Sequence, residues 1–129
     1  MPTSTPEEIR VGEMSIRFLL EGEQSGGAVA VFEFDVPAGS KVAAAHSHDD
    51  FDETIYVLEG ALVWTVEEQT RQIAPGEVLC IPRGAVHQFA NAGDRDATAL
   101  AIVTPGILGA GYFRDVADVL DAGRVHKMT

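Results

Sequence analysis

Four residues in two glycine-bounded segments carry the chemistry open to this chain: His46, His48, Glu53 and His87. Residues two apart on a strand share a face, so His46 and His48 can aim both imidazoles at one spot, about 7 Å apart at Cα. An acidic run, Asp49-Asp50-Phe51-Asp52, leads to Glu53, which can open a return strand and reach that spot from the side. His87, distant in sequence, could complete a set of three imidazoles and one carboxylate, donors that suit a first-row metal ion. A five- or six-coordinate ion there keeps one or two open positions. It could polarise an enol or carbonyl oxygen, lower the pKa of a bound water or, if redox-active, bind dioxygen. The plainer readings are exposed strand histidines and a solvated acidic loop, with Asp52 as the ligand if the register slips by one.

The elements around these residues read as strands broken at Gly, Pro and acidic turns. Met14–Leu20 and Ala28–Val36 are the first two, and Ala30, Phe32, Phe34 and Val36 alternate with Val29, Val31, Glu33 and Asp35. Pro37-Ala38-Gly39 turns the chain into the segment with the paired histidines. Glu53–Glu59, Ala61–Glu67 and Thr70–Ala74 read as a meander, followed by Glu77–Ile81, Ala85–Asn91 and Ala97–Thr104. Many short strands at close spacing predict a barrel or jelly roll. After Pro105-Gly106, apolar residues at 112, 113, 116, 119 and 120 predict an amphipathic helix over about 111–122, with Gly123 as its stop.

The spacing of the two segments resembles the cupin superfamily. In the first, Gly39, His46-Ser47-His48, Glu53 and Gly60 follow the family's first motif, with one residue more than usual between Gly39 and His46. In the second, Gly76, Pro82-Arg83-Gly84, His87 and Asn91 meet every position of the other motif. The resemblance implies an all-β, double-stranded β-helix (jelly-roll) barrel with a short C-terminal helix. It makes 1–129 a single cupin domain with its core over 11–105. It also implies that His46, His48, Glu53 and His87 bind one divalent transition metal: iron, manganese, nickel, copper, cobalt or zinc. Glu53 would be either a permanent ligand or a displaceable base that takes a substrate proton. The motifs, with Gly26-Gly27, Thr104-Pro105-Gly106 and Tyr112-Phe113-Arg114-Asp115, look most like the small quercetin-dioxygenase-like cupins, whose named members insert O2 into enolic or aromatic substrates. The resemblance further implies a homodimer.

Alternation assigns the walls. Glu53 inward carries Ile55 and Val57 with it, His87 carries Phe89 and Asn91, and the paired histidines carry Val42 and Ala44. Arg17 and Arg71 are the cations considered near this mainly apolar cavity. Few cations there disfavour a sugar phosphate and favour a small, largely apolar substrate with one or two oxygens. Tyr56 and Leu58, with Trp64 beside them, are expected on an outer face that packs on the other sheet or on a partner subunit. Cys80 is read as a small core residue, and Met14 and Phe89 as core or cavity wall. Tyr112, Phe113 and Arg114 are read as a clamp for the helix, His126 as part of a frayed tail irrelevant to the site with a lid as the alternative, and Gln88 and Asn91 as candidate supports for the ligands.

Composition narrows the partners. The 129 residues include 20 acidic against 9 basic side chains, a net charge of −11. Such a surface repels nucleic acid and anionic membranes. The N-terminus shows neither signal-peptide nor membrane-span character, and one cysteine leaves no internal disulfide. Both fit a cytoplasmic protein. The leading expectation is a dioxygenase-type enzyme. The alternatives are an O2-independent isomerase or lyase and a non-enzymatic small-ligand binding protein.

Overall fold

The computed structural model describes residues 6–128, and the side chains of 41–44 and 121–128 lie outside that description. Among the described residues the strands are β1 (Glu8–Val11), β2 (Met14–Leu20), β3 (Ala30–Val36), β4 (Lys41–His46) and β5 (Asp52–Glu59). They continue with β6 (Leu62–Val66), β7 (Gln69–Ile73), β8 (Val78–Ile81), β9 (His87–Ala90) and β10 (Ala97–Thr104), and a helix α1 (Ala110–Met128) follows. Six strands form one antiparallel sheet in the order β1-β2-β3-β10-β5-β8, and four form the other in the order β4-β9-β6-β7. The all-β jelly-roll expectation therefore holds. β1 is an addition, α1 starts one residue early and runs further, and His126 lies outside the described side chains.

The core follows from alternation. Ala30, Phe32, Phe34 and Val36 on β3 are buried, while Val31, Glu33 and Asp35 are only partly so. On the neighbouring strand β10, Ala97, Ala99, Ala101 and Val103 are fully buried. Register sets small against large: Ala99 faces Phe34 and Ala101 faces Phe32 on one side, with Val57 and Ile55 on the other. Each fully buried Phe, Ile or Val contributes about 1.5–3 kcal/mol. The alanines of this central strand let the larger side chains of both neighbours pack against it.

The expected meander is corrected. β5 pairs with β10 and β8, whereas β6 pairs with β7 and β9 in the other sheet. The switch occurs at Gly60, with φ at +71°, where an added Cβ would stand 2.5 Å from the Asp96 carbonyl oxygen. Only glycine meets both demands. Trp64 consequently does not lie beside Tyr56 on an outer face. It is 2% exposed, inside the barrel, with its ring stacked on Phe89 at 4.4 Å. Cys80 is also corrected: it is exposed, because β8 is an edge strand whose inward residues are Leu79 and Ile81, paired with Ile55 and Glu53. The run Val78-Leu79-Cys80-Ile81 is apolar throughout, so periodicity could not reveal which face was outward.

The helix closes one end of the barrel. Phe113 packs on Phe32 at 5.2 Å and Phe18 at 5.9 Å. The Ala110 amide donates to Glu21 Oε1 at 2.9 Å, and Arg114 pairs with Glu7. Phe113 and Arg114 thus clamp the helix as expected, while Tyr112 stays half exposed at the cavity mouth.

Candidate metal centre

Cross-strand register brings the histidines together. His46, the last residue of β4, lies directly opposite His87, the first of β9. The pairing slips by two residues between Val42 and His46, an irregularity that leaves His46 opposite His87. His48 lies just past the strand, not on it as the alternation argument supposed. It still closes on the others, with ring centroids 4.9 Å from His46 and 5.2 Å from His87. One nitrogen from each of the three imidazoles falls within 4.8 Å of the other two, a grouping that can hold a metal ion. Gly84 helps to fix the loop, its amide donating to the His48 carbonyl at 2.7 Å.

Glu53 faces the same point. It stands on β5 with Ile55 and Val57, both fully buried on the same face, and its Oε1 is 3.8 Å from His87 Nε2. Asp52 faces the opposite way and pairs with Arg83 at 3.1 Å, which removes it as a substitute ligand. Asn91 does not support the cluster: its amide donates to the Val36 and Arg95 carbonyls and ties down a loop. Gln88 is exposed. Arg17 is likewise corrected as a cavity cation, because it is bound to Glu33 and Asp35 on the outer face.

The protonation states suit a metal. Burial, together with the charges of His46 and His87, pulls His48 down to about 4. Burial also lowers His87, so both imidazoles are neutral at neutral pH and offer lone pairs. His87 Nδ1 lies 3.0 Å from the Ala85 carbonyl oxygen. That contact makes Nδ1 the donor and leaves the Nε2 lone pair for the cluster. Burial pushes Glu53 up to about 7. The 3.8 Å contact is therefore not an ion pair, since each group disfavours its charged form. A desolvated carboxylate and neutral imidazoles converge here with no cation among the described residues, and a divalent ion is the charge that this donor set fits.

The centre lines a cavity of about 340 Å³. Its walls include Ile16, Phe32, Phe34, Phe89, Phe113 and Trp64, with Leu108 and Val116 near the helix. Met14 is also on the wall, and no Lys or Arg is among the described lining residues. Sequence reasoning missed three contributors. The Ala85 carbonyl is a backbone group and leaves no trace in residue type. Phe51 stacks on His48 at 4.5 Å, and an aromatic inside an acidic run was the available signal. Trp64 leaves no signal of its own, because β6 pairs with β7 and β9 and not with the strand that precedes it in sequence.

Comparison with known proteins bears on the same residues. Residues 32–103 match the cupin domain family Cupin_2. The chain is similar to quercetin 2,3-dioxygenase of Bacillus subtilis (strain 168), 24% identical over 112 residues, which covers 87% of this chain but 32% of that protein. The chain thus spans about a third of the length of that relative. A solved structure described as a predicted oxalate decarboxylase from Thermotoga maritima aligns with TM-score 0.70 at 28% identity, over 78% of this chain and 92% of that one. A sugar phosphate isomerase of the cupin superfamily from Silicibacter pomeroyi aligns with TM-score 0.63 at 31% identity, over 73% of this chain and 60% of that one.

Proposed function

The chain belongs to the cupin domain family, and on that footing we propose that it is a metal-dependent enzyme of dioxygenase type acting on a small enolic or phenolic substrate. The observation that carries the reading is a buried, uncompensated Glu53 within 3.8 Å of His87, beside three converging imidazoles in an apolar cavity. His46, His48, His87 and Glu53 would hold the ion. When bound, a divalent transition metal supplies Lewis acidity toward a substrate oxygen and, if redox-active, electrons for dioxygen.

The chain's own groups supply the rest. Glu53, when it is not holding the ion, could accept the proton of an enol or phenol hydroxyl through a carboxylate oxygen. The aromatic walls exclude water and orient a flat, apolar body. A cavity of about 340 Å³ without a described cation suits a small, nearly uncharged molecule better than a phosphorylated sugar. The similarity to quercetin 2,3-dioxygenase supports the same reaction class. The homodimer expected from the resemblance would cover the exposed Leu58 beside half-buried Tyr56.

Oxygen-independent isomerase or lyase chemistry is the second reading, favoured by the same carboxylate beside the imidazoles. An oxygen electrode separates the two. Metal-loaded protein with small enolic or phenolic substrates should consume O2, and Glu53→Gln should reduce the rate about 10²–10⁴-fold. Turnover undiminished under strict anaerobiosis would instead favour the isomerase or lyase reading, and ligand binding without any product a non-enzymatic module.

A further inference from the structure

A second, larger recess lies on the far side of Trp64. It holds about 710 Å³ between the β6–β7 hairpin and edge strand β8, with the Pro82–Ala85 loop at its end. Trp64 lines both this groove and the metal cavity, so its ring is the partition between them. The floor is apolar, built from Trp64, Val66 and Leu79. Arg71 stands directly opposite Trp64 across the β6–β7 ladder, and residues so paired share a face with Cβ atoms about 4.5–5.5 Å apart.

Arg71 shares with Arg10 and Arg95 the lack of an ion pair among the described residues, but it alone of the three lines this groove. Arg17, Arg83 and Arg114 each pair with a carboxylate. Arg71 makes no ion pair among the described residues, in a chain with 20 acidic side chains to 9 basic ones. One of its guanidinium nitrogens donates to the Val78 carbonyl at 2.8 Å, which anchors the side chain across the groove and leaves other donors of the fork unspent. Glu67 also lines the groove, and Arg83 there is already neutralised by Asp52. The lining thus carries no net positive charge, so the Arg71 fork offers charge-assisted hydrogen bonds to a single carboxylate and disfavours a dianion such as a phosphate ester.

We infer that this groove is a second binding site, separate from the metal cavity, for a small amphipathic carboxylate. The carboxylate engages the Arg71 fork, in the planar geometry that guanidinium favours, and the apolar body lies over Trp64 and Leu79. The volume falls within the range of small-molecule sites, roughly 300–1,000 Å³.

Two native reporters sit in the groove: Trp64 is the chain's one tryptophan and Cys80, which is exposed, its one cysteine. The test is titration of the purified protein with benzoate at constant ionic strength, following Trp64 fluorescence and the rate of Cys80 alkylation. Saturable fluorescence change is expected, with alkylation slowed about fivefold at saturation. Benzamide, the neutral isostere, should bind about tenfold more weakly, and so should Arg71→Gln, with Arg71→Lys in between. His46→Ala and chelator-treated protein should bind benzoate as well as the untreated protein does. Binding lost with His46→Ala or chelation, but kept in Arg71→Gln, would place benzoate in the metal cavity and overturn the inference. Equal binding of benzamide, or no saturation, would overturn it as well.

Discussion

Two charged clusters lie on opposite faces of the six-stranded sheet and obey opposite rules. On the outer face, Arg17 bonds Glu33 at 2.7 Å and Asp35 at 2.9 Å, and Thr98 donates to Asp35 at 2.9 Å. The hydrogen bond from Arg17 holds the Asp35 carboxyl below its usual range, and the bond to Asp35 in turn raises Arg17. One guanidinium there serves both carboxylates, each within hydrogen-bond reach. On the inner face, Glu53 has no described cation, and burial drives its pKa the other way, up to about 7. Paired charges hold strands in register, while an unpaired buried carboxylate costs stability. The fold retains that cost where three imidazoles converge, as a site for a cation and a proton would require.

The comparison can be broken first through pH. Glu53 has its folded pKa raised, so in chelator-treated protein its neutral form is favoured by folding below about 4.5, and that advantage disappears as pH rises through about 7. The difference is on the order of 3 kcal/mol. Denaturant unfolding of metal-free wild type and Glu53→Gln should therefore diverge between pH 5 and pH 8, with the wild type falling behind. Parallel curves would show that Glu53 is not desolvated. Asp35 has the opposite sign: its lowered pKa contributes stability above the usual carboxylate range, lost as pH falls through the folded value.

A smaller effect sharpens the other half. Arg17→Met should cost about 1–2 kcal/mol, since two partly exposed carboxylates lose their partner in a screened setting. Thermal unfolding should fall by a few degrees, and metal content should not change. A loss of metal in this variant would mean that the two faces are coupled and not independent.

Much of this was legible in the sequence, and the failures have physical causes. Alternation on β3 reads correctly because one face is apolar and the other carries Glu33 and Asp35. The spacing of His46, His48 and His87 identified three side chains that the fold does bring together. Trp64 and Cys80 were misplaced for different reasons. Strands close in sequence need not be neighbours when a glycine such as Gly60 sends the chain to the other sheet. A uniformly apolar edge strand such as β8 hides its facing. The Ala85 carbonyl that orients His87 has no side-chain signature, and the role of α1 as a cavity wall depends on where the helix docks, which periodicity does not encode.

The central claim is that the inner cluster is a metal centre. Elemental analysis of protein purified without added metal or chelator, alongside His46→Ala and His87→Ala, tests it most directly. The account predicts close to one equivalent of a divalent transition metal in the wild type and a loss of about tenfold or more in affinity in each variant. Wild-type protein that holds no metal even after reconstitution, or variants that retain it fully, would contradict the account.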